Sequence, residues 1–297
     1  PKVCPTTGEL LAFSYFNFAQ PYLNYIRIGA DGVLKQLEGI ELPQMVMMHD
    51  FNITENYVIF MDLPLALDLN LLASGIPFRF KRENQARLGV MPRNGCAEDI
   101  RWFEINPCYV FHQVNAWEQG DIITLFVSKQ NSAFGADSGD FSEVSRLHRW
   151  QINLATGQVT EEKVDDRPGD FGRVNDRFVG QQSQFGYLMA LDGEGNSEEP
   201  SYGPKLYQYD LISGHCNEHD LGAGTRGAEP VYAPVPSSKA ENDGWVMCLV
   251  HNEHANKSKL VIIDADNFAA APVASIELPY PVPYGAHGNW IEDQQLN

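Results

Sequence analysis

Residues 47–60 of the 297-residue chain read MMHDFNITENYVIF, so that His49 separates an apolar run from an acidic residue. The pattern predicts a β-hairpin, with strands at 46–53 and 57–62 and a turn at 54–56. A single histidine beside apolar residues is more often an ordinary core or surface residue than a metal ligand. The rest of the chain therefore decides whether His49 has a function.

Two other histidines lie in comparable surroundings. His112 is part of an apolar strand pattern at 109–117 (YVFHQVNAW), and His287 lies in a glycine-flanked turn at 284–291 (YGAHGNWI). Three histidines so far apart in sequence meet only if the fold gathers strand ends around one axis. Neutral imidazole is a suitable ligand for Fe, Zn, Cu or Ni.

An all-histidine ligand set brings no charge of its own to offset a metal ion. It depends on carboxylates that accept the second ring N–H and fix the tautomer. Asp170 and Glu229 lie in apolar contexts flanked by Gly and Pro, and they are the candidates for this role. Taken alone, either residue is more often a solvated loop acid.

Short segments rich in aromatic and β-branched residues, separated by Gly, Pro, Asn or Asp, predict an all-β protein. The strands predicted outside the first hairpin lie at 10–18, 22–28, 87–91, 101–105, 109–115 and 122–129. Residues 130–140 are typical of an exposed loop, and the one short helical candidate is 66–74.

A weak internal repeat supports a particular all-β architecture. The segment WQINLATG at 150–157 matches YQYDLISG at 207–214, and IID at 262–264 matches both in part. Each unit predicts a strand, a turn and a return strand. The spacing is somewhat above the roughly 40–50 residues of a simple propeller blade, which favours a β-propeller with long loops between blades. The alternative is that the pattern is only a common hairpin.

The composition excludes several classes of protein. The net charge of −18 disfavours nucleic-acid binding, and 43% hydrophobic residues are enough for a sizeable core. No run of about 18 uncharged apolar residues is present, and no apolar leader follows Pro1, so we expect neither a transmembrane segment nor a signal peptide. Five cysteines without CxxC spacing are typical of reduced thiols and favour a cytoplasmic protein.

Six motifs, in order over almost the whole chain, resemble the carotenoid cleavage oxygenase family, which includes the stilbene-cleaving dioxygenases. They are MMHDFNITENYVIF, RLGVMPRNG (87–95), RWFEINPCYVFHQVNAWEQGD (101–121), DFGRVNDRFVG (170–180), AEPVYAPVP (228–236) and PYGAHGNWI (283–291). The resemblance implies a seven-bladed β-propeller with a loop-and-helix dome over its axis, and residues 1–297 would form the later blades of that single domain. It also implies Fe(II) on the axis, held by four histidines, with glutamates behind three of them.

The resemblance assigns roles to individual residues. His49, His112 and His287 match three iron ligands, and Glu229 matches the glutamate behind the last of them. Asp170 stands where the family has a glutamate behind the ligand at His112. Because Asp is one methylene shorter, we expect it to need a water or a backbone shift to reach the imidazole.

The N-terminal motif departs further from the family. The fourth histidine is expected just before Pro1, where the chain begins, so we expect an N-terminally incomplete chain. Cys4 replaces the acid that is usual at its position. The five remaining histidines match no ligand motif, and we expect them at the surface; they are His148, His215, His219, His251 and His254.

The resemblance implies a non-haem Fe(II) dioxygenase that cleaves a C=C bond of a carotenoid, apocarotenoid or stilbene-like substrate to two carbonyl products. Its partners would be O₂ and an apolar alkene, with peripheral membrane contact for substrate uptake. Aromatic residues that could line a tunnel, but that are more often core residues, are Trp102, Phe103, Tyr109, Phe111 and Trp117. Two alternatives remain: an isomerase that uses the same iron, and an inactive propeller that serves as a binding or scaffold module. The missing histidine and Asp170 favour the scaffold.

Overall fold

The computed structural model describes residues 1–134, 144–192, 202–283, 285 and 287–293. Within these ranges the chain is built from β-strands, and its helical elements are three short 3₁₀ helices, η1 (Leu69–Ser74), η2 (Ala97–Asp99) and η3 (Asp176–Phe178). The predicted all-β class is confirmed. The predicted loop at 130–140 lies mostly outside the described residues.

The first two sheets each contain four antiparallel strands. The first has the order β1-β2-β3-β4 and the second the order β10-β9-β6-β5. Their strands are β1 (Lys2–Val3), β2 (Leu10–Ser14), β3 (Leu23–Ile28), β4 (Leu34–Ile40), β5 (Phe51–Ile53), β6 (Tyr57–Asp62), β9 (Ala86–Pro92) and β10 (Arg101–Ile105). A two-stranded hairpin, β7 (Leu65–Leu67) and β8 (Phe78–Phe80), carries η1 and is inserted into the second sheet.

Two further four-stranded units share one long strand. The strand β14 (Val159–Arg173) pairs with β13 through its first half and with β15 through its second half. The other strands are β11 (Tyr109–Gln119), β12 (Ile122–Gln130), β13 (Arg146–Asn153), β15 (Phe185–Leu191), β16 (Tyr202–Asp210) and β17 (Cys216–Asp220).

The last sheet pairs β20 with β21 and β21 with β22, while β18 and β19 both pair with β20. These strands are β18 (Thr225–Gly227), β19 (Val231–Pro234), β20 (Gly244–Asn252), β21 (Lys257–Asp264) and β22 (Ala274–Glu277). Five consecutive antiparallel units of about four strands are typical of propeller blades. The total of seven blades stays a prediction.

The repeat detected in the sequence corresponds to equivalent hairpin turns. Asn153 Oδ1 accepts hydrogen bonds from the backbone N–H groups of residues 155 and 156, and Asp210 Oδ1 accepts them from residues 212 and 213. Each turn ends on a glycine in the left-handed region, Gly157 (φ 78°) and Gly214 (φ 76°). The shared Asx-turn chemistry explains why these two segments have similar sequences.

Apolar side chains from neighbouring units form the core. Trp150, Leu125 and Phe103, for example, belong to one cluster shared by the second and third sheets. Complete burial of a large apolar side chain contributes about 1.5–3 kcal/mol, so these contacts hold adjacent units together.

Two local predictions need correction. The strand predicted at 46–53 is shorter, because β5 begins at Phe51 and residues 47–50 approach it without regular pairing. The helical candidate at 66–74 is divided between β7 and η1, since Leu65–Leu67 pairs with β8.

Candidate metal centre

The three histidines predicted from the sequence lie together. One potential ligand atom on each of His49, His112 and His287 lies within 4.8 Å of the other two. Their ring centroids are separated by 4.9 Å (His49–His112), 5.0 Å (His112–His287) and 6.2 Å (His49–His287). No other group of three or more His, Cys, Asp or Glu side chains in the described parts of the chain has such an arrangement.

His112 is positioned by two β-bulges. The pairing of β11 with β12 slips between Val110 and Gln113, so that His112 lies in the irregular segment. The pairing of β14 with β15 slips just after Asp170, where Phe171 adopts a positive φ of 56°. Bulges re-aim side chains next to functional sites. Here they bring His112 Nδ1 to 3.0 Å from Asp170 Oδ1.

The expected obstacle at Asp170 is therefore overcome by the backbone. The carboxylate reaches the imidazole directly, without an intervening water, because Phe171 leaves the extended conformation. Both partners are buried, His112 at 9% and Asp170 at 6% exposure.

His49 lies two residues before β5 and is fixed by the acid that follows it. Asp50 accepts hydrogen bonds from the backbone N–H of Phe51 and of Gln113, and its Oδ1 lies 2.8 Å from Lys2 Nζ. Asp50 thus ties the start of β5 to the bulge that contains His112. The adjacent His-Asp pair was the only sequence signal for this role.

His287 lies in a segment without regular secondary structure and is held by polar contacts. Its Nδ1 lies 3.2 Å from Glu229 Oε1, while Glu229 Oε2 accepts the Gly288 N–H at 2.7 Å. Arg173 Nη1 donates to the Gly288 carbonyl at 3.0 Å, and Arg173 Nη2 donates to Asn289 Oδ1 at 3.1 Å. The role of Arg173 was not predicted.

The surroundings shift the pKa values of His49 and His112 in opposite directions. The pKa of His49 is lowered to about 4, because neighbouring groups partly bury its ring, although the residue as a whole is exposed, and because His112 is adjacent. Burial would lower the pKa of His112, but the charge and hydrogen bond of Asp170 raise it. Burial would raise the pKa of Glu229, but the hydrogen bond from His287 and the charge of Arg173 lower it.

The donor set fits a metal ion. Nδ1 of His112 is hydrogen-bonded to Asp170. The other ring nitrogen of His112, Nε2, is buried and has no hydrogen-bond partner. A buried imidazole nitrogen that faces two further imidazoles and lacks a partner is the arrangement expected of a ligand atom. Imidazole ligands suit Fe, Zn, Cu or Ni.

Aromatic rings surround the histidines. Phe171 stacks on His112 with centroids 4.3 Å apart, and the Phe111 ring lies 5.4 Å from His49. Of the aromatic residues proposed as tunnel lining, Phe111 lies at the site, whereas Phe103, Tyr109 and Trp117 are buried in the core. Phe171 was missed, because only the bulge directs it towards His112.

The expectation that the other histidines lie at the surface is wrong for one of them. His219 is 3% exposed, and its Nδ1 lies 2.8 Å from the carbonyl oxygen of Phe268. His215 and His254 are exposed, while His148 and His251 are partly buried.

The structure describes no helix long and apolar enough to cross a membrane.

Comparison with known proteins gives a consistent result. Residues 1–292 match the model of the RPE65 family, described as retinal pigment epithelial membrane protein. The chain is 36% identical over 317 residues to carotenoid 9,10(9',10')-cleavage dioxygenase 1 of Phaseolus vulgaris, covering all of this chain and 58% of the bean protein. It is 32% identical to the carotenoid cleavage oxygenase of Mycobacterium tuberculosis, covering 98% of this chain and 67% of that protein.

A solved structure with the same fold is the lignostilbene dioxygenase of Pseudomonas brassicacearum. The TM-score is 0.86 at 29% identity, over 98% of this chain and 65% of that one. The bean and Pseudomonas proteins are thus matched over less than two thirds of their length. The match over nearly the whole chain and the agreement in fold lead to one conclusion: the chain belongs to the RPE65/carotenoid cleavage oxygenase family.

Proposed function

We propose that the protein is a non-haem Fe(II) dioxygenase that cleaves a C=C bond of a carotenoid, apocarotenoid or stilbene-like substrate to two carbonyl products. The observation that carries the proposal is the convergence of His49, His112 and His287, which lie before β5, on β11 and after β22, in a chain of this family. The resemblance to the family implies a fourth histidine ligand in addition to these three.

The chain's own residues have defined tasks in this reaction. His49, His112 and His287 would hold the iron, and Asp170 and Glu229 keep a proton on Nδ1 of their histidines so that Nε2 is the ligand atom. When bound, the iron supplies the redox chemistry with O₂ that no protein side chain provides. The Phe111 and Phe171 rings offer an apolar wall beside the histidines, against which a flat alkene can be oriented.

Iron loading tests the ligand set directly. We expect each of H49A, H112A and H287A to bind far less iron than wild type after anaerobic loading with Fe(II), measured by elemental analysis. H215A is the matched control, because His215 is exposed and its ring Nε2 lies near Asn217. Each of these four variants should be made both with and without a histidine placed before Pro1. Full iron binding by all three variants would refute the proposed site.

Turnover assays separate the candidate functions. A dioxygenase consumes O₂ and yields two carbonyl products from an apocarotenoid or a hydroxystilbene. An isomerase converts its substrate without consuming O₂, and a scaffold protein gives neither product nor iron binding. Direct contact of Asp170 with His112 removes one of the two arguments for the scaffold.

The proposal includes peripheral membrane contact for substrate uptake. Exposed apolar side chains lie on the β7–β8 hairpin and on the segment after β2, which are joined by the contact of Phe16 with Phe78 at 5.8 Å. They are Phe16, Phe18, Leu69, Leu72 and Ile76. Arg79, Lys81 and Arg82 follow on the same hairpin and can meet anionic headgroups.

Vesicle binding tests this contact. The double variant L69S/L72S should bind vesicles of anionic phospholipid about 30-fold more weakly than wild type in a flotation assay, since about 1 kcal/mol is lost for each of the two apolar side chains withdrawn from the bilayer. L34S/L37S, on the exposed strand β4, is the control and should bind as wild type does. Equal binding by all three proteins would contradict the assignment of this surface.

A further inference from the structure

Cys4 lies in an environment that is built for an anion. The residue follows β1, is 4% exposed, and packs within the core cluster shared by the first two sheets. Its Sγ accepts a hydrogen bond from Arg93 Nη1 at 3.3 Å. The turn that follows folds back on it, with Gly8 N–H donating to the Cys4 carbonyl and Cys4 N–H donating to Glu9.

Arg93 is a buried cation that lacks a full set of acceptors. It is 7% exposed, and its Nη1 donates to the carbonyl of Glu55 at 3.0 Å as well as to Cys4. Its Nε and Nη2 have no hydrogen-bond partner. Glu9 Oε2 lies 3.9 Å from Nη2, too far for a hydrogen bond, and Glu9 Oε1 is engaged by Arg27 at 2.8 Å.

A buried guanidinium is stabilised best by anions that are hydrogen-bonded to it. Glu9 pairs with Arg93 at 3.9 Å without a hydrogen bond, and Cys4 Sγ, at 3.3 Å, is the nearest group that can add a hydrogen-bonded anion. Burial would raise the pKa of Cys4, but hydrogen bonds from Thr7, from Arg93 and from the backbone N–H groups of the turn lower it below its usual value.

Three other thiols show the opposite behaviour. Burial raises the pKa of Cys108 and of Cys248 to about 12, and that of Cys216 to about 11. Burial alone therefore makes a thiol inert in this protein. Cys4 differs because hydrogen-bond donors surround its sulfur.

The sulfur of Cys4 is covered by an exposed turn. Residues 5–8, which cover it, are all exposed, and an exposed turn opens at low cost in free energy. A cavity of about 210 Å³ lies beside the turn and is lined by Thr6 and by Glu55, whose carbonyl binds Arg93.

We propose that Cys4 is held as a thiolate by Arg93 and is a modification site at which hydrogen peroxide oxidises the sulfur to the sulfenate and then to the sulfinate. This inference does not depend on the metal centre. Sulfenate or sulfinate oxygens would act as acceptors for Nε and Nη2 of Arg93, which lack partners in the reduced protein.

The oxidation is balanced in two identical steps. The thiolate attacks one peroxide oxygen, an S–O bond forms, and the O–O bond breaks. Sulfur loses two electrons to the peroxide, and the departing hydroxide takes the remaining proton as water, leaving the sulfenate. A second peroxide converts the sulfenate to the sulfinate in the same way.

The first test measures the charge of the thiol. The difference in ultraviolet thiolate absorbance between wild type and C4S, followed against pH, reports Cys4 alone. We expect its midpoint to lie below the ordinary thiol pKa of about 8.5, and R93Q to raise it. A midpoint at or above about 8.5 in wild type would overturn the proposal.

The second test locates the modification and does not require R93Q to fold. In a C96S background, which removes the exposed thiol, peroxide should add oxygen atoms to the peptide with Cys4 and leave Cys108, Cys216 and Cys248 unmodified by mass spectrometry. The pair C4D and C4N completes the design, since only C4D carries the charge that Arg93 needs. C4D should melt near wild type and C4N lower; identical melting of the pair, or no oxygen on Cys4, would refute the inference.

Discussion

His112 and His287 have ring centroids only 5.0 Å apart, yet the protein supports them in different ways. His112 lies on a strand and is buried. It is hydrogen-bonded to the buried carboxylate of Asp170, which lies at a bulge in its own strand. His287 is exposed, lies outside regular structure, and depends on Glu229 and Arg173. The half of the site around His112 is thus part of the folded core, whereas the half around His287 is an irregular segment held to the core by polar contacts.

The difference concerns the free energy that each half contributes. Changes around His112 alter the core, so they affect both stability and metal binding. The Glu229 carboxylate is also buried, at 7% side-chain exposure, but its partners His287 and Gly288 are exposed. Water can therefore replace the carboxylate at these partners, so changes around His287 affect metal binding and leave most of the fold intact.

The largest effect is expected from D170A. It leaves a buried imidazole N–H without an acceptor, which costs about 1–3 kcal/mol in the free energy of unfolding. Loss of the carboxylate behind the ligand also lowers metal affinity about 10–100-fold. E229A should lower affinity by a similar factor and stability by less than half as much, measured by urea unfolding of the apoprotein and by metal titration. Equal losses of stability would contradict the distinction between the two halves.

A smaller effect is expected from R173M, which removes the hydrogen bonds to Gly288 and Asn289. Metal affinity should fall about tenfold, because His287 is no longer held near the other ligands. The free energy of unfolding should change by less than about 1 kcal/mol, and hydrogen exchange at 287–293 should accelerate. R149M is the control, since Arg149 forms a surface ion pair with Glu162 that contributes little. A loss of global stability with unchanged exchange would show that Arg173 supports the core instead.

The sequence predicted the parts of this site that depend on residue identity and on regular pattern. A short segment rich in aromatic and β-branched residues indicated β10 at 101–105, and the structure places it there. The motifs that contain His49, His112 and His287 identified them as candidate ligands, because these motifs resemble those of the family and stand in the same order along the chain. Nothing local distinguished Arg173 from other surface arginines, since its role depends on a segment more than one hundred residues away.

Bulges explain the remaining gaps. The positive φ at Phe171 arises from pairing between β14 and β15, and an isolated segment gives no signal for it. Asp170 reaches His112 directly beside this bulge, so of the two expected routes, a water or a backbone shift, the contact uses the backbone, which only tertiary structure determines. His219 was wrongly predicted to lie at the surface because a polar turn precedes it. Its side chain is buried on strand β17.

The smallest effect concerns Glu161, whose contacts include none of the three histidines of the site. Glu161 receives a hydrogen bond from Trp150 Nε1 at 2.8 Å and lies close to Lys129 and to His148. The contact with His148, followed by Lys129 and Trp150, lowers its pKa from 4.5 to about 2. A depressed carboxyl pKa stabilises the fold above the unfolded pKa, and this contribution disappears as the pH falls from about 4.5 through about 2.

E161Q should therefore unfold with about 1 kcal/mol less free energy than wild type near neutral pH, a modest value because the carboxylate is partly solvated. The difference should shrink as the pH falls below about 4.5 and vanish near about 2, in urea titrations of both apoproteins at several pH values. Metal affinity near neutral pH should equal that of wild type, the reverse of the result expected for R173M. A gap in stability that persists below about pH 2, or a loss of metal affinity, would show that the third sheet and the metal centre are coupled more tightly than their contacts indicate.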